Sequence, residues 1–238
     1  MKEYIAPPAY AGYRFPAEVI ARAVWLYYRF APRYCDVEEL LAECGIIVTY
    51  ESIRRWTHAF GQTYANALRR RRLRPGDKWH LDEVFIRING RIHYLWRAID
   101  QDGHVLDILV QSRRDQRAAV KFLRTLLKGL TYVLPVVITD KLASYGAAMR
   151  AVLRGVEHRR HKGLNNRAEN SHQPMRERER RMRRFKSPGH AQRFLAAYGP
   201  IAAHCRPRRH RLTATNYRAT RTERFATWRA VTGTPALA

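Results

Sequence analysis

The sequence has 238 residues, enough for one large domain or two small ones, and 46% of them are hydrophobic, as is typical of a folded protein. Its 45 lysines and arginines outnumber its 20 aspartates and glutamates, so the formal net charge is +25. Solubility alone needs far less charge, and this excess indicates a polyanionic partner, most simply nucleic acid. From Arg159 onward there are 20 basic and 4 acidic residues, so we expect the polyanion to lie along the last third of the chain.

Two other classes of protein are disfavoured. The three cysteines, Cys35, Cys44 and Cys205, are odd in number and lack zinc-ligand spacing, so we expect buried free thiols rather than a disulfide framework or zinc knuckle. No apolar run reaches the roughly 18 residues of a membrane span, and the first residues lack the pattern of a secretory leader. We therefore expect a cytoplasmic protein with no membrane partner.

Residues 1–74 predict a small helical domain. After a loose arm over residues 1–13, helical spacing extends from Pro16 to Phe30. Asp36 is placed to cap a short helix over residues 37–44, with Gly45 just past its end, and Thr49 is placed to cap a further helix over residues 50–60. Two short helices joined by a glycine-containing turn indicate a helix-turn-helix module.

The second of these helices is the candidate DNA reader. One face is predicted to be apolar and carries Tyr50, Ile53, Trp56 and Phe60. The opposite face then points outward, as a recognition helix does in a major groove, and presents Ser52, Arg55 and His58 as predicted DNA contacts. An ordinary helical hairpin with a solvated polar face would show the same spacing, and the net charge favours the DNA-binding interpretation.

Pro75-Gly76 follows an arginine-rich run and predicts a domain boundary, so residues 75–205 are expected to form one domain. Asn89-Gly90 between two β-rich runs is a strong hairpin signal, and Gln101-Asp102-Gly103 provides a second turn before a third strand. The elements expected next are a helix capped by Asp115 and ended by Gly129, a strand over 136–139, a helix over 144–153, a short strand over 156–158 and a helix over 191–204. This order predicts a mixed α/β sheet with helices on its faces, followed over residues 206–238 by a basic tail that is partly disordered without DNA.

Three acids stand at positions suited to chemistry. Asp82 lies on the first predicted strand, Asp140 directly follows the strand over 136–139, and Glu169 falls in the first turn of a helix capped by Asn165 or Asn166. Magnesium ions take oxygen ligands, and two such ions about 4 Å apart promote in-line phosphoryl displacement. For each acid taken alone, an ion pair with arginine is the alternative in so basic a chain.

Several neighbours leave alternatives open. Glu83 rivals Asp82 as a ligand, because strand alternation is expected to let only one of them face the site. The spacing of His158, His161 and His172 supports no transition-metal site, so phosphate contacts or solvated surface are expected for them.

Pro174 is expected to kink the helix that carries Glu169. No Gly-x-x-x-x-Gly-Lys loop is present, and no nucleotide cofactor is expected.

At these residues the chain resembles the DDE transposases of bacterial insertion sequences, and it looks most similar to the insertion sequence six family. The resemblance runs from about Phe15 to Arg193. It is carried by Trp79-His80-Leu81-Asp82-Glu83 before the Asn-Gly hairpin, by Thr139-Asp140-Lys141 with Tyr145, and by Asn165-Asn166 with Glu169 and Arg176. Asp140 and Glu169 are 29 positions apart, closer than is usual in the family, as a trimmed loop near Arg154 would explain.

The resemblance implies an RNase-H-like, retroviral-integrase fold preceded by a helix-turn-helix. It makes Asp82, Asp140 and Glu169 the catalytic triad for two Mg²⁺ ions, replaceable by Mn²⁺, and it implies DNA contacts from Lys141, Arg167 and Arg176. Its partners would be double-stranded DNA, both terminal inverted repeats and target, in the bacterial cytoplasm, with at least a homodimer on DNA.

The implied activity is cleavage at each element end followed by strand transfer. Two alternatives remain: a non-catalytic DNA-binding protein or decayed transposase, whose DNA affinity would not depend on the acids or on magnesium, and an RNase-H-like structure-specific nuclease. The helix-turn-helix argues against the nuclease, since such an enzyme needs no sequence reader.

Overall fold

The computed structural model describes residues 8–71, 76–128, 136–165, 168, 172–182, 184–207, 209 and 212–235. Contacts divide the chain into a helical unit, residues 1–72 with 197–238, and a sheet unit, residues 73–196. The elements are α1 (Ala17–Phe30), α2 (Tyr34–Glu43), α3 (Tyr50–Arg70), β1 (Lys78–Ile88), β2 (Arg91–Asp100), β3 (Val105–Gln111), α4 (Gln116–Leu127), β4 (Val136–Thr139), α5 (Ala143–Val152), β5 (Glu157–Arg160), α6 (Gln173–Arg181), α7 (Pro188–His204) and α8 (Ala214–Thr232). No helix in these described ranges is long and apolar enough to cross a membrane.

In the helical unit, α2 and α3 follow the predicted order, with local differences. Thr49 caps α3 as expected, accepting the backbone N–H of Ser52. Asp36 is not the N-cap of α2, because the helix already begins at Tyr34. Asp36 lies in the first turn, and its carboxylate accepts the backbone N–H of Arg33 at 2.7 Å. Tyr50 was predicted to be buried and is 51% exposed. All three cysteines are free, but Cys35 and Cys44 are exposed, and only Cys205 is buried as predicted.

Helix α3 is longer than predicted, extending through Gly61 to Arg70. A β-carbon at Gly61 would lie 2.6 Å from the Tyr28 hydroxyl oxygen, so this glycine permits close approach of α1 rather than breaking the helix.

Residues 206–238 differ from the predicted basic tail, because they contain helix α8. Its buried side chains include Trp228 and Val231. Trp228 meets the ring of Tyr64 on α3 with centroids 5.4 Å apart, and Phe225 meets Trp25 on α1 at 5.5 Å. The many arginines of this stretch favoured a basic, partly disordered tail, whereas its aromatic residues pack the helix against α1 and α3.

In the sheet unit, five strands form one sheet in the order β3-β2-β1-β4-β5, with β1, β2 and β3 antiparallel and β4 and β5 parallel to β1. Trp79, Leu81 and Trp96 pack with Phe122 of α4 and Tyr145 of α5 in the core on one face. The predicted α/β class, a mixed sheet flanked by helices, is confirmed. Element ends within the described residues agree with the predictions to within three residues in this unit, except at the helix predicted to begin after Asn165 or Asn166, since α6 begins at Gln173.

One detail of the sheet unit differs from prediction, and two predicted features fall partly outside the described residues. Asn165 is fully buried, and its Nδ2 donates to the carbonyl of Leu81 at 2.9 Å, while Asn166, the other predicted cap, lies outside the described residues, as does Glu169. Pro174 does not kink a helix, since it falls in the first turn of α6, where no intrahelical bond is lost. Asp115 caps α4 as predicted, by accepting from the Ala118 N–H at 2.8 Å, but Gly129 is not among the described residues.

Candidate active site

The register of the central strands brings acids together at the carboxyl end of β4. Leu81 of β1 pairs with Thr139, the last residue of β4, so the residues that follow each of them, Asp82 and Asp140, are neighbours. One carboxylate oxygen from each of Asp82, Glu83 and Asp140 lies within 4.8 Å of the others. Two of the three predicted triad residues therefore converge in the structure.

Glu83 joins this cluster, and the prediction that strand alternation would admit only one of the two adjacent acids is wrong. The alternation itself holds, because Asp82 contacts a histidine near α6 while Glu83 lies beside Tyr145 of α5. Beyond Leu81, however, β1 is no longer paired with β4, since β4 ends at Thr139, and the next described bridge on this edge of β1 joins Ile88 to Phe185. Both side chains can therefore turn their carboxylates toward the same open space.

Glu83 is held by Arg114, which lies on the connection between β3 and α4. Nε of Arg114 donates to Oε1 of Glu83 at 2.7 Å, and its Nη2 lies 3.9 Å from Oδ2 of Asp140. The Glu83 side chain is only 1% exposed, and this burial raises its pKa to about 7, although Tyr145 and Arg114 act in the opposite direction. The pKa of Tyr145 is likewise raised well above its ordinary value by burial and by the charge of Glu83.

Asp82 is held by His172. Nε2 of His172 donates to Oδ2 of Asp82 at 3.1 Å, and the two side chains are 5% and 13% exposed. Burial lowers the pKa of His172, and Asp82 partly opposes that shift. The expectation of a phosphate contact or solvated surface is therefore wrong for His172. His158 is also engaged internally, with Nε2 lying 2.9 Å from Oγ1 of Thr139.

Asp140 is the most open of the three acids. Its side chain is 26% exposed, and Oδ1 accepts the backbone N–H of Leu142 at 3.0 Å, just before α5 begins. This bond orients the carboxylate and leaves Oδ2 directed into the cluster beside Arg114. An oriented, accessible carboxylate at a strand end is suited to binding a cation.

The donor set fits a hard divalent cation. Of the three carboxylates, Glu83 and Asp140 lie near Arg114, and Oε2 of Glu83 is buried without a hydrogen bond to any other described residue. Crowded carboxylates repel one another and lose hydration, and a cation with oxygen ligands relieves both costs. Asp82 and Asp140 would hold such an ion, with Glu83 beside them.

The remaining predicted site residues are distributed as follows. Glu169 and Arg167 lie outside the described residues. Arg176 is exposed on α6, with its guanidinium 5.7 Å from the ring centroid of Phe85, in a groove that Asp82 and Glu83 also line. Lys141 is exposed directly after Asp140.

The three predicted DNA contacts of α3 belong to the helical unit. Arg55 and His58 are exposed and Ser52 is partly so. Nε of Arg55 lies 3.2 Å from Glu51 on the preceding turn, which holds the guanidinium along the exposed face. The outward face predicted for this helix is thus confirmed at these three residues.

Sequence reasoning missed Arg114 and misjudged His172. Arg114 lies between the end of β3 and the Asp115 cap of α4, and a basic residue at an element junction was the available signal. His172 precedes the first turn of α6, and only the fold shows that this turn faces β1.

Comparisons with known proteins agree with the site. A protein-family model described as the DDE domain matches residues 76–208. The transposase for insertion sequence-like element IS431mec of Staphylococcus aureus strain Mu50 is 33% identical over 173 residues, which cover 71% of this chain and 77% of that protein. The transposase for insertion sequence element IS257 in transposon Tn4003, also from Staphylococcus aureus, matches with the same identity and coverage.

Among solved structures, the HTLV-2 integrase catalytic core domain in complex with magnesium aligns with a TM-score of 0.38 and 12% identity, covering 57% of this chain and 88% of that chain.

Proposed function

Because the chain belongs to the DDE transposases of the insertion sequence six family, we propose that it binds the terminal inverted repeats of an insertion sequence and catalyses metal-dependent DNA cleavage and strand transfer at their ends. The observation that carries this proposal is the convergence of Asp82, Glu83 and Asp140 at the carboxyl end of β4. The substrate, double-stranded DNA, agrees with the net charge of +25 and with action in the bacterial cytoplasm.

The proposed metal ligands are Asp82, Asp140 and Glu169, with two Mg²⁺ ions, for which Mn²⁺ substitutes. Bound there, the ions would supply an activated nucleophile and stabilise the leaving oxygen in each displacement. His172 orients Asp82 through their hydrogen bond, and the Leu142 N–H orients Asp140. Arg114 holds Glu83 and offsets part of the negative charge of the cluster.

The segment around Glu169 supports its assignment as the third ligand. Four residues before it, Asn165 is tied to the carbonyl of Leu81, the residue preceding Asp82. Three residues after it, His172 is tied to Asp82 itself. The described residues on both sides of Glu169 therefore contact β1 at the acid cluster, which supports the proposal.

The chemistry consists of two displacements at phosphorus. Water attacks the phosphodiester at the element end, and the bond to the departing 3′ oxygen breaks, leaving a free 3′ hydroxyl. That hydroxyl then attacks a target phosphodiester, forming one phosphorus–oxygen bond as another breaks. Bond energy is conserved, so the reaction needs no nucleotide cofactor. Two ends must be joined to one target, which implies at least a dimer on DNA.

The test uses the purified protein and a labelled duplex that carries the inverted repeat flanking the gene. With Mg²⁺ we expect cleavage at the repeat end and labelled products longer than the substrate, since the freed end joins target DNA. Mn²⁺ should support the same products, and EDTA should abolish them because the acids alone supply no nucleophile.

A duplex of equal length without the repeat is the control for that reaction. If the protein binds the repeat but neither cuts nor joins it with either metal ion, it is a non-catalytic DNA-binding protein and the proposal fails. Cleavage of branched or hybrid substrates irrespective of the repeat would instead identify a structure-specific nuclease.

Recognition of the repeat is assigned to α3, through Ser52, Arg55 and His58. Arg55→Gln is expected to weaken binding to the repeat about tenfold, while binding to an unrelated duplex changes less than twofold, since one base contact is worth roughly 1–3 kcal/mol. Fluorescence anisotropy with both duplexes measures this. The matched control is Arg124→Gln on the exposed face of α4, which removes the same charge. Equal weakening on both duplexes would contradict base reading by Arg55.

A further inference from the structure

Helix α8 carries an arginine face that the assigned chemistry does not use. Its 19 residues include four arginines and one glutamate. Arg218, Arg221 and Arg229 line one shallow groove together with Thr222 and Phe225. Among the described residues, none of these three arginines takes part in an ion pair. Three cations are thus presented on one helix face without compensating carboxylates.

The fourth arginine of the helix has a different role. Nη1 of Arg224 donates to the carbonyls of His204 at 2.7 Å and Ala203 at 3.3 Å, at the end of α7. These bonds satisfy carbonyls that a helix terminus leaves without intrahelical partners. Arg224 therefore stabilises the end of α7, and it is distinct in role from the three arginines of the groove.

Arg209 adds a further cation next to the groove, beside Tyr217. The guanidinium groups of Arg209 and Arg221 lie 5.1 and 5.7 Å from the centre of the Tyr217 ring, which holds their planes in place while leaving N–H groups to donate. Burial, and then the charge of Arg206, lower the pKa of Arg29 nearby. Crowding of like charges is unfavourable unless an anion accompanies it.

Helix α8 is also fixed to the DNA reader within the helical unit. Trp228 packs on Tyr64 of α3, and the Tyr10 hydroxyl, which lies 2.6 Å from the Tyr64 hydroxyl, donates to the carbonyl of Thr232 at 2.6 Å. The proposed base contacts lie at the other end of α3, over residues 52–58. The arginine face is consequently held at a set position relative to the recognition residues.

We propose that Arg218, Arg221 and Arg229 of α8 form a second DNA-binding surface, which grips the phosphate backbone of duplex DNA irrespective of its sequence. The inference rests on the proposed function in taking DNA as the partner. From Arg218 to Arg229 the helix rises about 16 Å, which corresponds to about five base-pair steps. A second copy of the chain does not fit this surface, because its own net charge is also +25.

The experiment measures DNA binding alone, in EDTA, by fluorescence anisotropy from 50 to 300 mM NaCl, with the repeat duplex and a scrambled duplex of equal length. The variant is the triple Arg218→Gln, Arg221→Gln, Arg229→Gln. The logarithm of the affinity falls as the logarithm of the salt concentration rises, and each lost phosphate contact reduces the magnitude of this negative slope by about 0.9. We expect the magnitude of the slope to decrease by about two to three, equally for both duplexes.

Two companion proteins make the result specific. The triple Arg117→Gln, Arg124→Gln, Arg150→Gln removes the same charge from exposed positions of α4 and α5 and should keep the wild-type slope. The triple replacement of the three α8 arginines by lysine keeps the charges and should retain most of the slope. Circular dichroism and thermal melting establish that each variant is folded.

The proposal is overturned if the α8 glutamine triple binds both duplexes with the slope of its charge-matched control, or if it loses affinity only for the repeat. Because no cleavage is measured, a protein that fails to join strands leaves this result unaffected. Conversely, a wild-type protein that joins strands while the triple binds normally would refute only the α8 surface.

Discussion

Asp140→Asn is expected to lower the rate of strand transfer about a thousandfold, since metal-ion catalysis supplies several kcal/mol and each 1.36 kcal/mol is a factor of ten. Asp140 is the open acid at the end of β4, oriented by the Leu142 N–H. Asparagine keeps an oxygen for that hydrogen bond but loses the charge that would attract a divalent cation. The fold and repeat binding should therefore persist while the chemistry is lost.

The measurement is the strand-transfer assay with labelled repeat ends, run beside anisotropy of repeat binding and urea denaturation. Asp77→Asn, an exposed acid before β1, is the control for loss of one charge and should react like wild type. Wild-type strand transfer by Asp140→Asn would remove the acid cluster from the mechanism. A loss of repeat binding with the activity would instead assign Asp140 a structural role.

Glu169→Gln and Glu83→Gln are expected to separate the third ligand from its neighbour. Glu169→Gln should lower strand transfer about a thousandfold, as expected for a metal ligand. Glu83 is already paired with Arg114 and 1% exposed, so Glu83→Gln should cost only about ten- to a hundredfold, the usual effect of a residue that orients a ligand.

Metal binding distinguishes the role of Glu169 from that of Glu83 independently of the reaction rate. Binding of Mn²⁺ by isothermal titration should weaken strongly in Glu169→Gln and only slightly in Glu83→Gln. Glu179→Gln, a half-buried acid on α6, is a suitable control. If Glu83→Gln abolishes Mn²⁺ binding and Glu169→Gln does not, the ligand set is Asp82, Glu83 and Asp140, the three acids that the structure brings together.

Local signals predicted most individual elements, because the interactions that define them join near neighbours in sequence. Asn89-Gly90 adopts positive φ at both residues and joins β1 to β2, as its residue types require. Thr49 and Asp115 cap their helices through side-chain bonds to residues three positions away. Strand β4 is buried at each of its four positions, as a continuous apolar run predicts.

Predictions failed where a local pattern had more than one physical use. The helix predicted over residues 50–60 stops before Gly61, whereas α3 continues through this glycine, which permits Tyr28 to approach. The arginines of residues 206–238 favoured a basic tail that is partly disordered without DNA, but Trp228, Phe225 and Val231 bury enough apolar surface to dock α8. Composition averages over a segment, whereas docking depends on which side chains share one face.

The sequence by itself determined the class of the fold, the family and two acids of the candidate site, because each depends on residue types at short spacing and in a set order. Only the tertiary structure decided that Glu83 joins Asp82 and Asp140, that His172 orients Asp82 across 90 residues, and that Arg114 pairs with Glu83. The physical reason lies in strand pairing. The β1–β4 register and the early end of β4 open one edge of β1 to side chains from three separate connections, and no spacing along the chain encodes where a partner strand stops.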